Sequence, residues 1–410
     1  MEHKKRYGLI GERLGHSFSP AIHVKLGDYP YDLFELKSEE LEDFLLRGDF
    51  AGLNVTIPYK KAVIPYCKTL TPQAQRIGSV NTIVRQPDGS LRGHNTDYDG
   101  FSYTLRTSGA QIEGKKALVL GTGGASLTVH TVLKDLGARE TVAISRTGPN
   151  NYRNLDLHRD AEIIVNATPV GMYPDTGVSL MDLDMFPKLE GVYDLVYNPA
   201  RTQLLLDAER RGIRNANGLG MLVAQAKAAA ERFLGQDIPD RRVEEIAREM
   251  EWDTRNLILI GMPGCGKTTI GTALAAKLGR ELADMDALII ERAGCSIPEI
   301  FANEGEDAFR KLEHEVLCDI SKQSGLIIAT GGGIVTRPEN FDPLRQNSWV
   351  IFMHRDLELL PTAGRPISQA NKLSDLYERR KPLYEAAADL EVDNIVIEET
   401  VNEIIRRLSK

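Results

Sequence analysis

Residues 256–279 read NLILIGMPGCGKTTIGTALAAKLG. An apolar run leads into a glycine-bounded loop, and the loop runs straight into a segment of helical composition. Gly261, Gly266, Lys267 and Thr268 satisfy G-x-x-x-x-G-K-[ST], with Gly264 and Thr269 belonging to the same loop. Between a strand and a helix this pattern predicts a phosphate cradle. Backbone N–H groups surround the phosphates, Lys267 reaches the β/γ oxygens, and the Thr268 hydroxyl meets a Mg²⁺ ion. Cys265 reads as a small filler within the loop. Such a loop ordinarily opens a domain, yet here 260 residues precede it.

Working outward, 410 residues exceed one ordinary core and imply two or three domains. The hydrophobic share of 42% with 26% charged residues is that of a soluble globular chain. Net charge is −8 with no basic tract, which argues against a nucleic-acid partner. Cys67, Cys265, Cys295 and Cys318 form no C-x-x-C pair, and the eight histidines do not cluster at metal spacing. Reduced thiols and no structural metal site are expected. The N-terminal MEHKKRYGLIGERLGHS lacks an apolar signal core, and no run approaches the ~20 apolar residues of a membrane span. No membrane partner and a cytoplasmic location are expected.

The grammar of strand, glycines and helix recurs in KKALVLGTGGASLTVHTVLKDLG (115–137). Gly121 permits the tight turn. Gly123, Gly124 and Ala125 bring backbone close to a pyrophosphate at a helix N-terminus, although Ser126 stands where the fingerprint has its last glycine. The following strand, TVAIS, ends at Ser145-Arg146-Thr147. A carboxylate there would bond the ribose 2′-hydroxyl of NAD. An arginine suits a 2′-phosphate, so NADP(H) is the expected cofactor.

Strands alternate with helical stretches throughout, which predicts α/β architecture with mainly parallel sheets. The expected division is a small α/β domain over 1–100, a Rossmann-like dinucleotide domain over 101–235, a short joint at 251–256 and a P-loop α/β domain over 257–410.

Three polar stretches fit neither core nor turn: GHSFSPAIH (15–23), LNVTIPYKK (53–61) and SVNTIVRQPDGSLRGHNTDYDG (79–100). With NATPVGM (166–172), YNPARTQLL (197–205) and GLGMLVAQA (218–226) in the same order, residues 1–250 resemble shikimate dehydrogenase. The resemblance implies that Ser17 and Ser19 hold the substrate carboxylate and that Thr56, Asn81 and Gln225 bond its ring substituents. It makes Lys60 and Asp97 the catalytic pair, and puts Tyr197 near the substrate and Met221 near the nicotinamide. Ser145, Arg146 and Thr147 then meet the 2′-phosphate. Reducing a ketone needs a proton donor, and a lysine held by an aspartate supplies one without a metal. Taken singly, Lys60 reads as a surface lysine, Asp97 as a helix cap, and Ser17 or Ser19 as an N-cap.

Behind the phosphate loop, Asp284-Met285-Asp286, GEDAFR (305–310), Gly331-Gly332-Gly333 and Arg365-Pro366 follow in order. Residues 255–410 thereby resemble shikimate kinase. The resemblance implies ATP as phosphoryl donor and a Mg²⁺ ion placed by Asp284 with Thr268. Asp286 would bond the acceptor hydroxyls and assist deprotonation. Arg310 and Arg365 would clamp its carboxylate, the glycine triplet would line its pocket, and Arg380 would lie near the nucleotide. A forked guanidinium matches a planar carboxylate. One departure stands out: in LELLPTAGRPIS (357–368), Pro361-Thr362 occupies the place of the family's lid arginine, with Arg355 a candidate substitute.

The two resemblances imply that the domain over 1–100 holds substrate and is rejoined by a helix at 236–250, and that the domain over 257–410 is of nucleoside-monophosphate-kinase type. Together they imply one bifunctional enzyme of the shikimate pathway, taking 3-dehydroshikimate to shikimate and on to shikimate 3-phosphate. The alternatives are a quinate-preferring or NAD-using reductase, a second half that only binds nucleotide, and a metabolite-sensing regulator built from such domains.

Overall fold

The computed structural model describes residues 6–15, 17–360 and 373–409. The chain folds into two compact units: residues 1–169, 180–197 and 207–247 form the first, and residues 170–179, 198–206 and 248–410 the second.

The first unit opens with β1 (Tyr7–Gly11), α1 (Ser19–Leu26), β2 (Tyr31–Glu35), α2 (Leu41–Arg47), β3 (Gly52–Val55), β4 (Thr69–Leu70), α3 (Pro72–Ile77), β5 (Thr82–Arg85) and β6 (Leu91–His94). These strands make one sheet in the order β2-β1-β3-β5-β6-β4. β1 and β3 are buried along their whole length, as interior parallel strands require. The sheet is less parallel than the sequence suggests, because β5 pairs antiparallel with both β3 and β6. The reason is local. Only Gln86–Ser90 joins β5 to β6, with Gly89 at φ +81°, and a connection that short can make a hairpin but not a crossover.

Next come α4 (Thr96–Thr107), β7 (Lys116–Leu120), α5 (Gly124–Asp135), β8 (Glu140–Ile144), β9 (Ile163–Asn166), β10 (Gly191–Asp194), α6 (Gln203–Arg210), β11 (Arg214–Ala216), α7 (Leu219–Leu234) and α8 (Arg241–Thr254). Their sheet, β11-β10-β9-β7-β8, is parallel throughout. α4 lies along α7, and the approach is tight enough to require Gly100. A Cβ there would come within 2.6 Å of the Met221 carbonyl and 3.0 Å of Gln225 Cβ. That glycine therefore sets the position of both side chains relative to Asp97 in the first turn of α4.

The segment expected as a joint is mostly helix. α8 continues through Thr254 and the next strand starts at Asn256. Val243, Ile246 and Met250 are buried at helical spacing, so the apolar face carries the helix past the expected boundary.

The second unit contains β12 (Asn256–Ile260), α9 (Lys267–Leu278), β13 (Leu282–Asp284), α10 (Met285–Ala293), α11 (Ile297–Asn303), α12 (Gly305–Ile320), β14 (Ile327–Ala329), α13 (Phe341–Arg345), β15 (Ser348–His354), a helix at Leu373–Ala387, β16 (Leu390–Asp393) and a helix at Ile397–Leu408. The sheet order is β13-β14-β12-β15-β16, all parallel. β12 is central and wholly buried, so the phosphate loop emerges from the carboxyl end of a middle strand. That is where open α/β sheets bind ligands. No described helix is long and apolar enough to cross a membrane.

Candidate active sites

In the first unit Lys60 lies in the turn after β3 and Asp97 in the first turn of α4, and their side chains meet. Lys60 Nζ donates to Asp97 Oδ2 at 2.6 Å, with both groups mostly shielded. Asp97 is not the helix cap. Asn95 fills that position, its Oδ1 accepting from the Tyr98 N–H. Nor do the serines cap α1. The N-cap is Phe18, and Ser17 Oγ accepts from the Ser19 N–H. The structural roles that compete with chemistry are thus filled by neighbours.

Ser17, Ser19, Thr56, Lys60, Asn81, Asp97, Ala125, Tyr197, Met221 and Gln225 line one cavity of about 480 Å³. Asn81 Oδ1 accepts from the Thr96 N–H at 2.6 Å, which fixes its amide. Burial pushes the Tyr197 hydroxyl above its ordinary pKa, so it is a neutral hydrogen-bonding group at working pH. Asn54, absent from the sequence reading, lines the same wall. Its Oδ1 accepts from the Tyr31 hydroxyl at 2.7 Å and its Nδ2 donates to Thr82 Oγ1 at 3.1 Å. Its signal was a polar residue inside the apolar strand GLNV, where a buried amide needs partners.

The dinucleotide loop adjoins this cavity through Ala125. Gly121 has φ +103°, and a Cβ there would lie 2.8 Å from Thr168 Cγ2, so that turn needs glycine. Gly123 and Gly124 have nothing within 4 Å of an added Cβ, leaving the N-terminus of α5 open. Ser145 Oγ accepts from the Gly148 N–H at 2.7 Å, while Arg146 and Thr147 are exposed at the end of β8. Open glycine backbone at a helix N-terminus with an exposed guanidinium nearby fits a dinucleotide carrying an extra phosphate.

In the second unit Gly264, Gly266, Lys267, Thr268, Thr269, Asp286, Arg310, Gly331, Gly332, Gly333 and Arg380 line a cavity of about 400 Å³. Gly261 starts the loop at φ +141°. Lys267 is buried and folds over it, donating to the carbonyls of Gly261 and Met262 at 3.0 Å each. Thr268 Oγ1 donates to Asp284 Oδ2 at 2.8 Å. The other Asp284 oxygen caps α10 by accepting from the Asp286 and Ala287 N–H groups. Asp284 is therefore the cap of α10, which leaves Asp286 in its first turn. The Thr268–Asp284 pair presents hard oxygen donors, the set a Mg²⁺ ion prefers.

Donor and acceptor sides adjoin. A Cβ on Gly332 would lie 2.5 Å from Pro263 in the phosphate loop, so the glycine triplet presses directly against it. A Cβ on Gly333 would strike the Arg310 guanidinium. Arg310 is almost fully buried and donates from Nη1 to Glu313 Oε2 at 2.7 Å and from Nη2 to Glu306 Oε1 at 3.2 Å. Glu313 is the cavity residue that the sequence reading missed. It is wholly buried and its Oε1 has no hydrogen-bond partner. Burial pushes its carboxyl pKa up, while Arg310 holds it back. Its signal was the i, i+3 spacing from Arg310. Arg380 donates to the Gly332 carbonyl at 3.1 Å, which ties it to the triplet. Arg365, with Pro361 and Thr362, lies outside the described residues.

Comparison with known proteins matches two stretches of the chain to two families. A family model described as shikimate dehydrogenase substrate binding domain matches residues 9–83, and one described as shikimate kinase matches residues 263–409. A shikimate dehydrogenase (NADP(+)) of Clostridium perfringens is 35% identical over 268 residues, which cover 60% of this chain and 98% of the relative. The chain belongs to the shikimate dehydrogenase family, with a shikimate kinase domain behind it.

Solved structures agree on the dehydrogenase part. A chorismate mutase/shikimate 5-dehydrogenase fusion protein from Clostridium acetobutylicum is 36% identical, with a TM-score of 0.58. It matches over 60% of this chain and 97% of its own. The Thermus thermophilus shikimate 5-dehydrogenase in complex with NADP(H) and shikimate is 33% identical, with a TM-score of 0.54, over 60% of this chain and 99% of its own. The fold is accordingly a shikimate dehydrogenase fold joined to a P-loop kinase domain, and the chain is a two-part enzyme of the shikimate pathway.

Proposed function

We propose that the first unit reduces 3-dehydroshikimate to shikimate with NADPH, and that the second phosphorylates the 3-hydroxyl of shikimate with MgATP. The observation that carries this is the grouping of side chains. A lysine–aspartate pair and the polar groups for a hydroxylated carboxylate share one cavity, and a phosphate loop shares the other with a buried arginine.

Bound NADPH would supply the hydride that the carbonyl carbon acquires. Lys60 donates the proton that the ketone oxygen acquires, and Asp97 holds the ammonium at that position. Ser17 and Ser19 hold the carboxylate, while Asn54, Thr56, Asn81 and Gln225 orient the ring hydroxyls. The loop Gly121–Ala125 would hold the pyrophosphate and Arg146 the 2′-phosphate, and Met221, which lines the same cavity, would serve the nicotinamide side. In the kinase, Arg310 and Arg365 fix the carboxylate and Asp286 accepts the proton of the attacking hydroxyl. That oxygen bonds to the γ-phosphorus as the bond to the β–γ bridging oxygen breaks, and ADP leaves. Lys267 and the loop amides stabilise the phosphates, and Thr268 with Asp284 would hold the Mg²⁺ ion.

The domain assignment follows as residues 1–100 with the returning helix for substrate, 101–235 for NADP, and 257–410 for the kinase, in a cytoplasmic protein. Mass spectrometry of 3-dehydroshikimate incubated with the chain, NADPH and MgATP should show shikimate 3-phosphate. Shikimate accumulating alone refutes the kinase assignment, and unconsumed 3-dehydroshikimate refutes the reductase assignment.

A further inference from the structure

Among the described residues four cations line the kinase cavity, and three of them also bond to the protein. Lys267 is bonded to the carbonyls of Gly261 and Met262, Arg310 to Glu306 and Glu313, and Arg380 to the Gly332 carbonyl. The fourth is Arg355, which directly follows β15, lines the same cavity and is exposed. It makes no hydrogen bond or ion pair with any described residue. Its Nη1 lies 3.6 Å from the position of a Cβ on Gly266, the N-cap of α9, which has φ +96°. On the same side, Asn394 Nδ2 donates to the Cys265 carbonyl at 2.6 Å and hems in Gly266. A guanidinium with no partner among the described residues, beside the N-terminus of a helix that opens on a phosphate loop, suits an anion.

The geometry points to Arg355 as a phosphate-binding residue of the kinase: its guanidinium contacts the polyphosphate chain of the nucleotide from the β15 side. This rests on the reading of the second cavity as an ATP site. It also gives the domain a cation on a rigid strand end, independent of the segment 361–372. A planar guanidinium pairs with phosphate oxygens through parallel N–H bonds and needs no metal to do so.

Titration of the full chain with adenosine and with a non-hydrolysable ATP analogue tests the assignment. Arg355→Ala and Arg355→Gln should each weaken the analogue by roughly tenfold or more, with adenosine affinity unchanged, because only the phosphates lose a partner. Arg355→Lys, which keeps the charge, should recover part of the loss. Analogue affinity within twofold of wild type in both neutral variants overturns the assignment. Equal losses for adenosine and the analogue, or a lysine variant as weak as alanine, overturn it too. A wild-type chain that binds the analogue through Arg355 yet leaves shikimate unphosphorylated sinks the acceptor assignment and leaves that of Arg355 standing.

Discussion

Substituting Gly333 by alanine tests the acceptor pocket with one carbon atom. The backbone tolerates the change, since Gly333 sits at φ −99°, an ordinary value for any residue. Space is the obstacle. The new Cβ falls under 3.0 Å from Nη1, Nη2 and Cζ of Arg310, where ordinary contact begins near 3.4 Å. The guanidinium cannot simply swing clear, because it is buried and held at 2.7 Å by Glu313, which has no exposure of its own. Arg310 therefore leaves its place, and the fork proposed to hold the acceptor's carboxylate loses its alignment. A charge-assisted hydrogen bond contributes about 1.5–3 kcal/mol. At about 1.4 kcal/mol per tenfold, kcat/KM for shikimate phosphorylation should fall by roughly 10- to 100-fold. Nucleotide affinity and the dehydrogenase rate should hold. A double-mutant cycle sharpens the test: with Arg310→Ala already present, Gly333→Ala should cost little more, since its target is gone. Gly333→Ala phosphorylating shikimate within threefold of wild type would refute the reasoning. So would full additivity of the two substitutions, which would place the effect of Gly333 elsewhere.

Three further outcomes are expected. Lys60→Ala should abolish ketone reduction, by at least ~10²-fold, while sparing phosphorylation, and Lys267→Ala should do the converse. Assays of both reactions on each variant check this, and reduction at the wild-type rate in Lys60→Ala removes it as proton donor. Thr268→Ala should raise the Mg²⁺ concentration for half-maximal phosphorylation, on the order of tenfold, because Asp284 loses its paired oxygen. An unchanged Mg²⁺ curve counts against that metal site. His23 gives a pH dependence. Burial lowers its pKa from 6.5 to about 3, so the unfolded chain binds its proton first. Its contribution is therefore intact above pH 6.5 and lost as pH falls toward 3, amounting to about 2 kcal/mol by pH 5. Urea unfolding of the first unit, followed by amide exchange in α1 and β1, should show this loss, and His23→Gln should flatten it. Equal slopes in the two proteins refute the assignment to His23.

Much of the chemistry is written locally. GMPGCGKTT between an apolar strand and a helix states a phosphate loop, because backbone amides, a lysine and a hydroxyl are needed there at fixed spacing. Arg146 at the end of β8 carries the proposal of a 2′-phosphate rather than a 2′-hydroxyl in the same way. Tertiary structure decided what spacing cannot encode. Arg310 is a carboxylate clamp in sequence only through the family resemblance, Glu313 goes unremarked there, and burial beside Gly331 and Gly333 makes both a pocket wall. Asn54 became a cleft residue through Tyr31 and Thr82, which are remote in sequence. Arg355 carries no motif at all, and its place beside Gly266 comes from β15 pairing with β12. The sequence thus determined two glycine loops between strand and helix, because each depends on residues close together, whereas the Lys60–Asp97 pair, 37 residues apart, was legible only through the family resemblance. Which cations remain available, which carboxylate is buried and which glycines cannot accept a Cβ depend on chain segments far apart in sequence, and folding alone brings those together.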